Sequence, residues 1–224
     1  MTPLARRLPR ELKHNIGKYL GIFLLMCGAI ALTSGFLLAA HSIGCLIDNM
    51  RDEYTIEDGR VITAFEATDA QLEAAEDAAD GVGGVTFYKN YSIDAAMKKP
   101  TGDDDTKRTL RTYTHRTEVD IASYCEGAKP RADDEVAVDR VFATNNDLAI
   151  GDKVELCERA YTICGIMTLP DSQALFPNNS DFTVNTITFA VAEVTDAGFA
   201  ALEDAGGAPT YTYSFTFNDR DLSV

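Results

Sequence analysis

The sequence predicts an α+β protein in which one N-terminal transmembrane helix is followed by an outer domain of two β-α-β units with a β-rich insertion. Three observations lead to this fold class. Residues 19–47 form a run of 29 residues without Asp, Glu, Lys or Arg. Five basic residues precede the run, whereas residues 48–224 contain 15 basic and 34 acidic residues, a net charge of −19. A segment that starts at Thr68 recurs at Thr195, 127 residues later.

The composition excludes several classes of function. The whole chain has a net charge of −15, and a nucleic-acid-binding protein would need clustered positive charge to displace counterions. The chain has neither the Gly-rich loop with Lys that holds nucleotide phosphates nor a G-x-S-x-G nucleophile motif. His14, His41 and His115 fall before, inside and beyond the charge-free run, so they cannot share a zinc ion. We therefore predict no catalytic, cofactor-binding or metal site and no nucleic-acid partner.

Residues 1–18 are predicted to be a basic amphipathic segment on the cytoplasmic side. The basic residues of this segment outnumber its acidic residues by five to one. Apolar contact and attraction to anionic headgroups would hold such a segment on the inner membrane surface. Membrane lipid is therefore an expected partner.

Residues 19–47 are predicted to be a transmembrane helix, because a bilayer core needs about 20 apolar residues of helix. The run exceeds the apolar region of a signal peptide, which is about 7–15 residues long, and a cut after Ala40 would put Leu38 where a small residue is required. The excess of basic residues before the helix predicts a cytoplasmic N-terminus. Residues 48–224 would then lie outside the cytoplasm, and we expect the chain in the cell membrane.

Small residues form one face of this predicted helix. They recur at spacings of three and four, in register with Leu24 and Ser42. Small side chains let two membrane helices approach closely, which favours packing against other helices. The alternative is the ordinary abundance of Gly in membrane helices. The predicted packing residues are Gly17, Gly21, Gly28, Ala31, Gly35 and Ala39.

The repeat predicts two helices in equivalent positions, one starting at Thr68 and one at Thr195. Each copy follows a strand-like run, ends in glycines and enters a second run rich in β-branched and aromatic residues. Thr68 and Gln71 fit a capping box, and the glycines fit helix C-terminal stops. We assign the units to residues 55–116 and 182–224. The economical assembly is one split β-α-β sandwich of the ferredoxin-like kind.

Residues 117–181, between the two units, are predicted to form a β-rich inserted subdomain. A tight turn is expected there at Gly151 and Asp152. Glycine can take a positive φ at such a turn, and the aspartate can accept hydrogen bonds from backbone amides.

A hairpin is predicted with residues 153–156 and 161–166 as its strands and residues 157–160 as its loop. Alternation of buried positions would place Leu156 opposite Tyr161 in this hairpin. That register would separate Cys157 from Cys164 along the hairpin, and cysteine is often simply a small buried hydrophobic residue. We therefore assign no disulfide pairing, and the sequence leaves this question open.

The order of these features resembles the MacB-like outer core of FtsX-type ABC transporter permeases, the group of MacB, LolC/LolE and FtsX. The sharpest local match is ATNNDLAIGDKVELCERAYTICGI, residues 143–166, which is similar to the family's strand–turn–strand pattern. The tripeptide Leu169-Pro170-Asp171 that follows also resembles the family.

The resemblance implies a permease subunit with a porter-type outer domain. That domain would couple ATP-driven membrane motion to export or to an extracytoplasmic partner. The implied partners are a cytoplasmic ATPase subunit, further permease transmembrane helices or a second permease copy, and an extracytoplasmic client. Such permeases have further membrane helices after the outer domain, so we expect the sequence to be a fragment. The alternative is a single-span, membrane-anchored extracytoplasmic binding or adaptor protein.

Overall fold

The computed structural model describes residues 14–99, 106–172, 176–177 and 180–218, without the side chains of residues 46–48, 52 and 82. The chain divides into two compact units between Asn49 and Met50. Most of the predicted basic segment, residues 1–13, lies outside the described residues.

The first helix, α1, spans Ile16–Tyr54, a length of 39 residues. It is the one helix in the described part of the chain that is long and apolar enough to cross a membrane. Its large apolar side chains are exposed, as shown by Phe36 at 71% and Leu37 at 70%. The helix continues past the predicted span of residues 19–47, and its last turn belongs to the second unit.

The second unit contains ten strands, three further α-helices and a short 3-10 helix, Asp80–Val82, among the described residues. The strands are β1 (Gly59–Thr63), β2 (Val85–Lys89), β3 (Ser92–Lys98), β4 (Arg108–Thr114), β5 (Ser123–Gly127), β6 (Glu135–Asp139), β7 (Lys153–Leu156), β8 (Arg159–Thr168), β9 (Phe189–Val194) and β10 (Pro209–Phe217). The helices are α2 (Asp69–Ala79), α3 (Arg140–Asn145) and α4 (Asp196–Asp204).

Six of these strands close into a ring. The order of neighbours is β3, β4, β9, β6, β8, β7 and back to β3. On β3, Ile93, Ala95 and Met97 are buried, whereas Asp94 is exposed, so alternate positions face the core. The main hydrophobic core draws on all six strands.

A smaller three-stranded sheet lies beside the ring. β10 is its middle strand, and β1 and β2 both pair with it in the antiparallel sense. The first residues of β10, Pro209 and Thr210, pair instead with β3 of the ring. β10 therefore joins the two sheets, and α2 with β1 and β2 forms a β-α-β unit split by β10.

Both predicted repeat helices are present, and their first residues are capped. The Thr68 amide donates to Gln71 Oε1 over 2.9 Å, and the Gly198 amide donates to Thr195 Oγ1 over 3.0 Å. Past the ends of the helices, Gly83 and Gly206 have φ of 106° and 92°. These positive angles suit glycine, which has no Cβ. Gly206 follows the end of α4, and Gly83 ends the short 3-10 helix Asp80–Val82 that continues α2.

The structure does not confirm the predicted ferredoxin-like sandwich. The two repeat helices cover different sheets, since α2 packs on β2 while α4 packs on β3, β4 and β9. Phe199 and Leu202 of α4 are buried, whereas α2 has no buried residue. The strands of residues 117–181 also do not form a separate subdomain, because β7 pairs with β3 and β6 pairs with β9.

The predicted register of the hairpin was wrong by two residues on one strand. Val154, not Leu156, lies opposite Tyr161, and Leu156 pairs with Arg159. The two turn residues, Cys157 and Glu158, both have positive φ, 48° and 66°. Such a two-residue turn of type I′ matches the twist of paired strands better than the longer loop we expected. All five cysteines are free.

Candidate functional site

The end of α1 is hydrogen-bonded to the segment that precedes β5. The Asp120 amide donates to the Thr55 carbonyl and the Ile121 amide donates to the Tyr54 carbonyl, each over 3.0 Å. The Tyr54 hydroxyl also reaches Ser123 Oγ over 3.2 Å. Carbonyl groups at a helix C-terminus have no partner within the helix, so these bonds satisfy them. We call Tyr54, Thr55, Asp120 and Ile121 the joint.

Asp58 extends this connection to the small sheet. Its amide donates to the Phe215 carbonyl over 2.9 Å, and its Oδ2 accepts from the Phe217 amide over 2.8 Å. Arg51, in the last turn of α1, forms an ion pair with the other oxygen of the same carboxylate. Asp58 therefore links the helix end to the last residues of β10.

A buried ionic cluster lies against the joint. Arg116 donates to both oxygens of Asp171, each over 3.2 Å, and to Asp120 over 3.5 Å. Arg60 pairs with Asp171 over 3.0 Å and with Glu57. We call Glu57, Arg60, Arg116, Asp120 and Asp171 the ionic cluster. Its members come from four parts of the chain, so it ties the joint to β1, to the turn after β4 and to the loop after β8.

Arg116 is almost completely buried and contacts charged and aromatic side chains. The exposed fraction of the residue is 5%, and the guanidinium group lies over the Tyr113 ring, 4.6 Å from the ring centre. Burial alone would lower the pKa of Arg116, but the charge and hydrogen bond of Asp171, together with the nearby Tyr113 and Asp120, outweigh burial and leave the pKa above its ordinary value. Arg116 therefore stays charged and holds the two aspartates of the cluster together.

Asp120 is the least compensated carboxylate of the cluster. It is 0% exposed and has a φ of 49°, in the left-handed region where Asp is tolerated. Its Oδ1 accepts from the Glu57 amide over 3.0 Å, while its Oδ2 has the Asn90 amide at 3.4 Å. Burial and the neighbouring Asp171 carboxylate raise the pKa of Asp120 to about 7.

Polar atoms without a partner mark the same region. Among the described residues, Glu57 Oε2, Asn90 Oδ1 and Arg116 Nε are buried and make no hydrogen bond. A buried polar atom that stays unpaired costs about 1–3 kcal/mol. The region around the joint therefore contains buried polar groups whose hydrogen-bonding capacity is not satisfied.

A second buried carboxylate, Glu193, is the last residue but one of β9. Its Oε1 accepts from the Arg116 amide over 2.9 Å and from His115 Nδ1 over 3.2 Å, and its Oε2 accepts from the Tyr124 hydroxyl. Burial, with the Glu193 charge beside it, raises the pKa of Tyr124 above its usual range. Glu193 thus fixes the turn that carries Arg116 and holds it against the ring.

The predicted packing residues lie on α1 and have no close neighbour in the described chain. A Cβ built at Gly17, Gly21, Gly28 or Gly35 would meet no atom within 4 Å. Ala31 and Ala39 are exposed on the same helix. This face of small residues therefore has no close neighbour among the described residues, and its packing against another helix stays a prediction.

The predicted turn residues occupy the turn before β7. Gly151 has a φ of 92°, and its amide donates to the Ile163 carbonyl over 2.8 Å. Asp152 Oδ2 accepts from the Ala149 amide over 2.9 Å. The small-residue face of α1 and this turn come from different parts of the chain and do not form a common site.

No group of three or more His, Cys, Asp or Glu able to hold a metal ion occurs within residues 14–99, 106–172, 176–177 and 180–218. An open groove of about 340 Å³ is lined by β2 and the turn after β4, with Lys89, His115 and Glu118 at its surface. His115 is already engaged with Glu193 and lies 3.3 Å from Lys129 Nζ through its other ring nitrogen. The groove shows no arrangement of nucleophile, base and orienting group that would indicate catalysis.

Sequence reasoning missed the ionic cluster. Its residues are far apart in the chain and stand in polar segments that are typical of solvated loops. Two signals were present, however. Asp171 belongs to the Leu169-Pro170-Asp171 tripeptide that resembles the permease family, and Glu193 interrupts an apolar strand.

Comparison with known proteins gives structural similarities only. No family model and no curated protein sequence matches the chain. The chain is similar to the extracellular domain of the noncanonic ABC-type transporter YknZ from Gram-positive bacteria, with a TM-score of 0.40 and 12% identity over 73% of this chain and 86% of that one. It is also similar to the periplasmic region of MacB from Actinobacillus actinomycetemcomitans, with a TM-score of 0.38 and 12% identity over 60% of this chain and 58% of that one. In the second case the match spans less than two thirds of the other chain.

Proposed function

We propose that the chain is part of an FtsX/MacB-type permease subunit of an ABC transporter. In this proposal α1 crosses the membrane with its N-terminus in the cytoplasm, and residues 48–224 lie outside. The outer unit transmits ATP-driven motion of the membrane helices to export or to an extracytoplasmic client. A separate cytoplasmic ATPase supplies the energy, and further permease helices, or a second permease copy, pack on the glycine face of α1.

The joint is the observation that carries this proposal. A helix that served only as an anchor would need no more than a flexible connection to its outer domain. Here the last carbonyl group of α1 and that of the following Thr55 accept hydrogen bonds from Ile121 and Asp120, and Asp58 binds the end of β10. A movement of the helix end would therefore displace both sheets of the outer unit instead of being absorbed in a linker.

The first test asks for the ATPase. The complete reading frame that contains this chain is expressed with an affinity tag in its native host and purified from the membrane. We expect an ATPase with a phosphate-binding Gly-rich loop to co-purify in stoichiometric amount. Its absence, with the chain intact and folded, would favour the single-span binding or adaptor protein.

The second test asks whether the joint couples the two parts. Hydrogen exchange of the outer unit is compared with and without ATP in the purified complex. We expect an ATP-dependent change that disappears when two glycines are inserted between Tyr54 and Thr55, although the ATPase still binds. The same insertion in the exposed loop after Phe65 is the control and should leave the change intact. A change that persists in both variants would contradict coupling through the joint.

A further inference from the structure

The carboxylates of the ionic cluster outnumber its guanidinium groups by three to two. Asp171 takes most of the available positive charge, with two contacts of 3.2 Å from Arg116 and one of 3.0 Å from Arg60. Glu57 pairs with Arg60. Asp120 is left with a single guanidinium contact, at 3.5 Å from Arg116. With all five groups ionised, the cluster has a net negative charge. Asp120 is the carboxylate whose charge is least compensated by a guanidinium group.

A neutral neighbour of Asp120, the Asn90 side chain, lies where it could accept a hydrogen bond from a protonated Asp120. Asn90 Nδ2 donates to Ser214 Oγ over 2.9 Å and lies 3.4 Å from Asp120 Oδ2, while Asn90 Oδ1 is buried without a partner among the described residues. Turning this amide by half a turn would present Oδ1 to both groups. Ser214 can donate as well as accept, but Asp120 can donate only when it is protonated.

We propose that Asp120 binds a proton in the folded chain and that this proton tightens the joint. The proton comes from solvent and resides on Asp120 Oδ2. The resulting O–H group donates a hydrogen bond to Asn90 Oδ1. Asp120 Oδ1 continues to accept from the Glu57 amide. Protonation balances the charge of the cluster at two positive and two negative groups.

The titration of Asp120 agrees with this geometry. Burial and the Asp171 carboxylate raise its pKa to about 7, whereas an aspartate in an unfolded chain has a pKa of about 3.9. A carboxyl group whose pKa is raised by folding binds its proton more tightly in the folded state. The stabilisation is therefore fully present below the unfolded pKa and is lost as the pH rises through about 7.

The joint would thus be firmer at mildly acidic pH than at mildly alkaline pH. This property concerns the folded chain and does not depend on a transport role. Combined with the proposed function, it would let the pH outside the cell set how firmly membrane motion is passed to the outer unit.

The test is hydrogen exchange of the full chain in detergent micelles. The informative amides are those of Glu57, Asp120 and Ile121, whose hydrogen bonds involve the joint. After correction for the intrinsic pH dependence of exchange, lowering the pH from about 8 to about 6 should increase their protection about tenfold, as expected for uptake of one proton. Asp120→Asn, a neutral mimic, should show protection that no longer depends on pH.

The matched control is Asp94→Asn, which removes a half-exposed carboxylate paired with Arg111 on the ring. It should keep the pH dependence of the wild-type chain. Flat protection in the wild type, or a slope that survives in Asp120→Asn, would overturn the proposal.

A second measurement covers the case in which Asp120→Asn does not fold. Infrared titration of the wild-type chain should then show a protonated, buried carboxyl group that disappears between about pH 6 and 8. The absence of such a group below neutral pH would contradict proton binding at Asp120.

Discussion

Arg116 binds Asp171 through two parallel hydrogen bonds of 3.2 Å each, and so joins the turn after β4 to the loop after β8. Both side chains are almost fully buried, at 4% and 1% exposure. A guanidinium and a carboxylate in this fork geometry bind each other more strongly than a single contact would allow. The pair sits next to the joint, so it affects the stability of the region around the end of α1.

Replacing Arg116 with methionine should strongly destabilise the outer unit. The change leaves Asp120 and Asp171 buried with too little positive charge, and breaking such a pair costs about 3–5 kcal/mol. Arg111→Met is the matched control, since Arg111 also lies over an aromatic ring, that of Phe189, but pairs with the half-exposed Asp94. It should cost about 1 kcal/mol or less.

Urea unfolding of the full chain in detergent, followed by tyrosine fluorescence because the chain has no tryptophan, measures both variants. Equal losses of unfolding free energy in the two arginine variants would show that the buried cluster has no special weight.

Gly127→Ala should also destabilise the fold. Gly127 has a φ of 71°, and a Cβ there would overlap the Cys164 carbonyl oxygen and lie 2.7 Å from Ile150 Cδ1. Left-handed backbone strain and overpacking together predict a loss of about 2–5 kcal/mol. Gly151→Ala has similar backbone strain, with a φ of 92°, but meets no atom within 4 Å, so it should cost only about 1–2 kcal/mol. Thermal unfolding should rank the two variants in that order.

Glu158→Gly should stabilise the chain slightly. Glu158 occupies the second position of the type I′ turn with a φ of 66°, which glycine adopts without strain. Relief of this strain exceeds the entropy cost of glycine, and the expected gain is about 0.5 kcal/mol. Glu155→Gly, within β7, should instead cost about 0.5–1 kcal/mol. A loss of stability in both variants would mean that the turn is not under strain.

The membrane orientation can be tested with cysteine labelling. Cys125 is free and exposed on β5. In a variant that keeps only this cysteine, a membrane-impermeant maleimide added to intact cells should label Cys125. In a variant without native cysteines, Thr2→Cys should react only after the cells are permeabilised. The reverse pattern would place the N-terminus outside.

The glycine face of α1 should matter for assembly and not for insertion. Gly28→Leu and Gly35→Leu should weaken crosslinking or co-purification with other permease helices, because each leucine would hold a neighbouring backbone away. Phe23→Leu and Ile30→Leu serve as controls and should have little effect. All four variants keep the helix apolar, so membrane insertion should be equal. Equal assembly would show that the small residues are ordinary membrane-helix composition.

Local features of the fold could be predicted from the sequence. The apolar run predicted α1, and the repeat at Thr68 and Thr195 predicted two capped helices, because periodicity and capping act over a few neighbouring residues. The ring could not be predicted in this way. Its closure depends on pairs such as Met97 with Leu156, which are distant in sequence and leave no local pattern.

The candidate site was less predictable than the fold. Glu57, Asp120 and Asp171 are ordinary loop residues by composition, and only their burial together makes them unusual. The hairpin error has a similar cause. Neither Cys157 nor Glu158 is a residue that favours a type I′ turn, so the tight turn gave no signal in the sequence.

The pairing of β1 with β10 has a mechanical consequence. Gly59, the first residue of β1, lies opposite Phe215, close to the last residue of β10. A load that entered through Gly59 and left through Phe217 would therefore pull on the same end of two antiparallel strands, and their hydrogen bonds would open one after another instead of resisting together. The two bonds of Asp58, to the Phe215 carbonyl and the Phe217 amide, close this end of the pair. Asp58 would bear the load first, and it sets the force at which the small sheet begins to unzip.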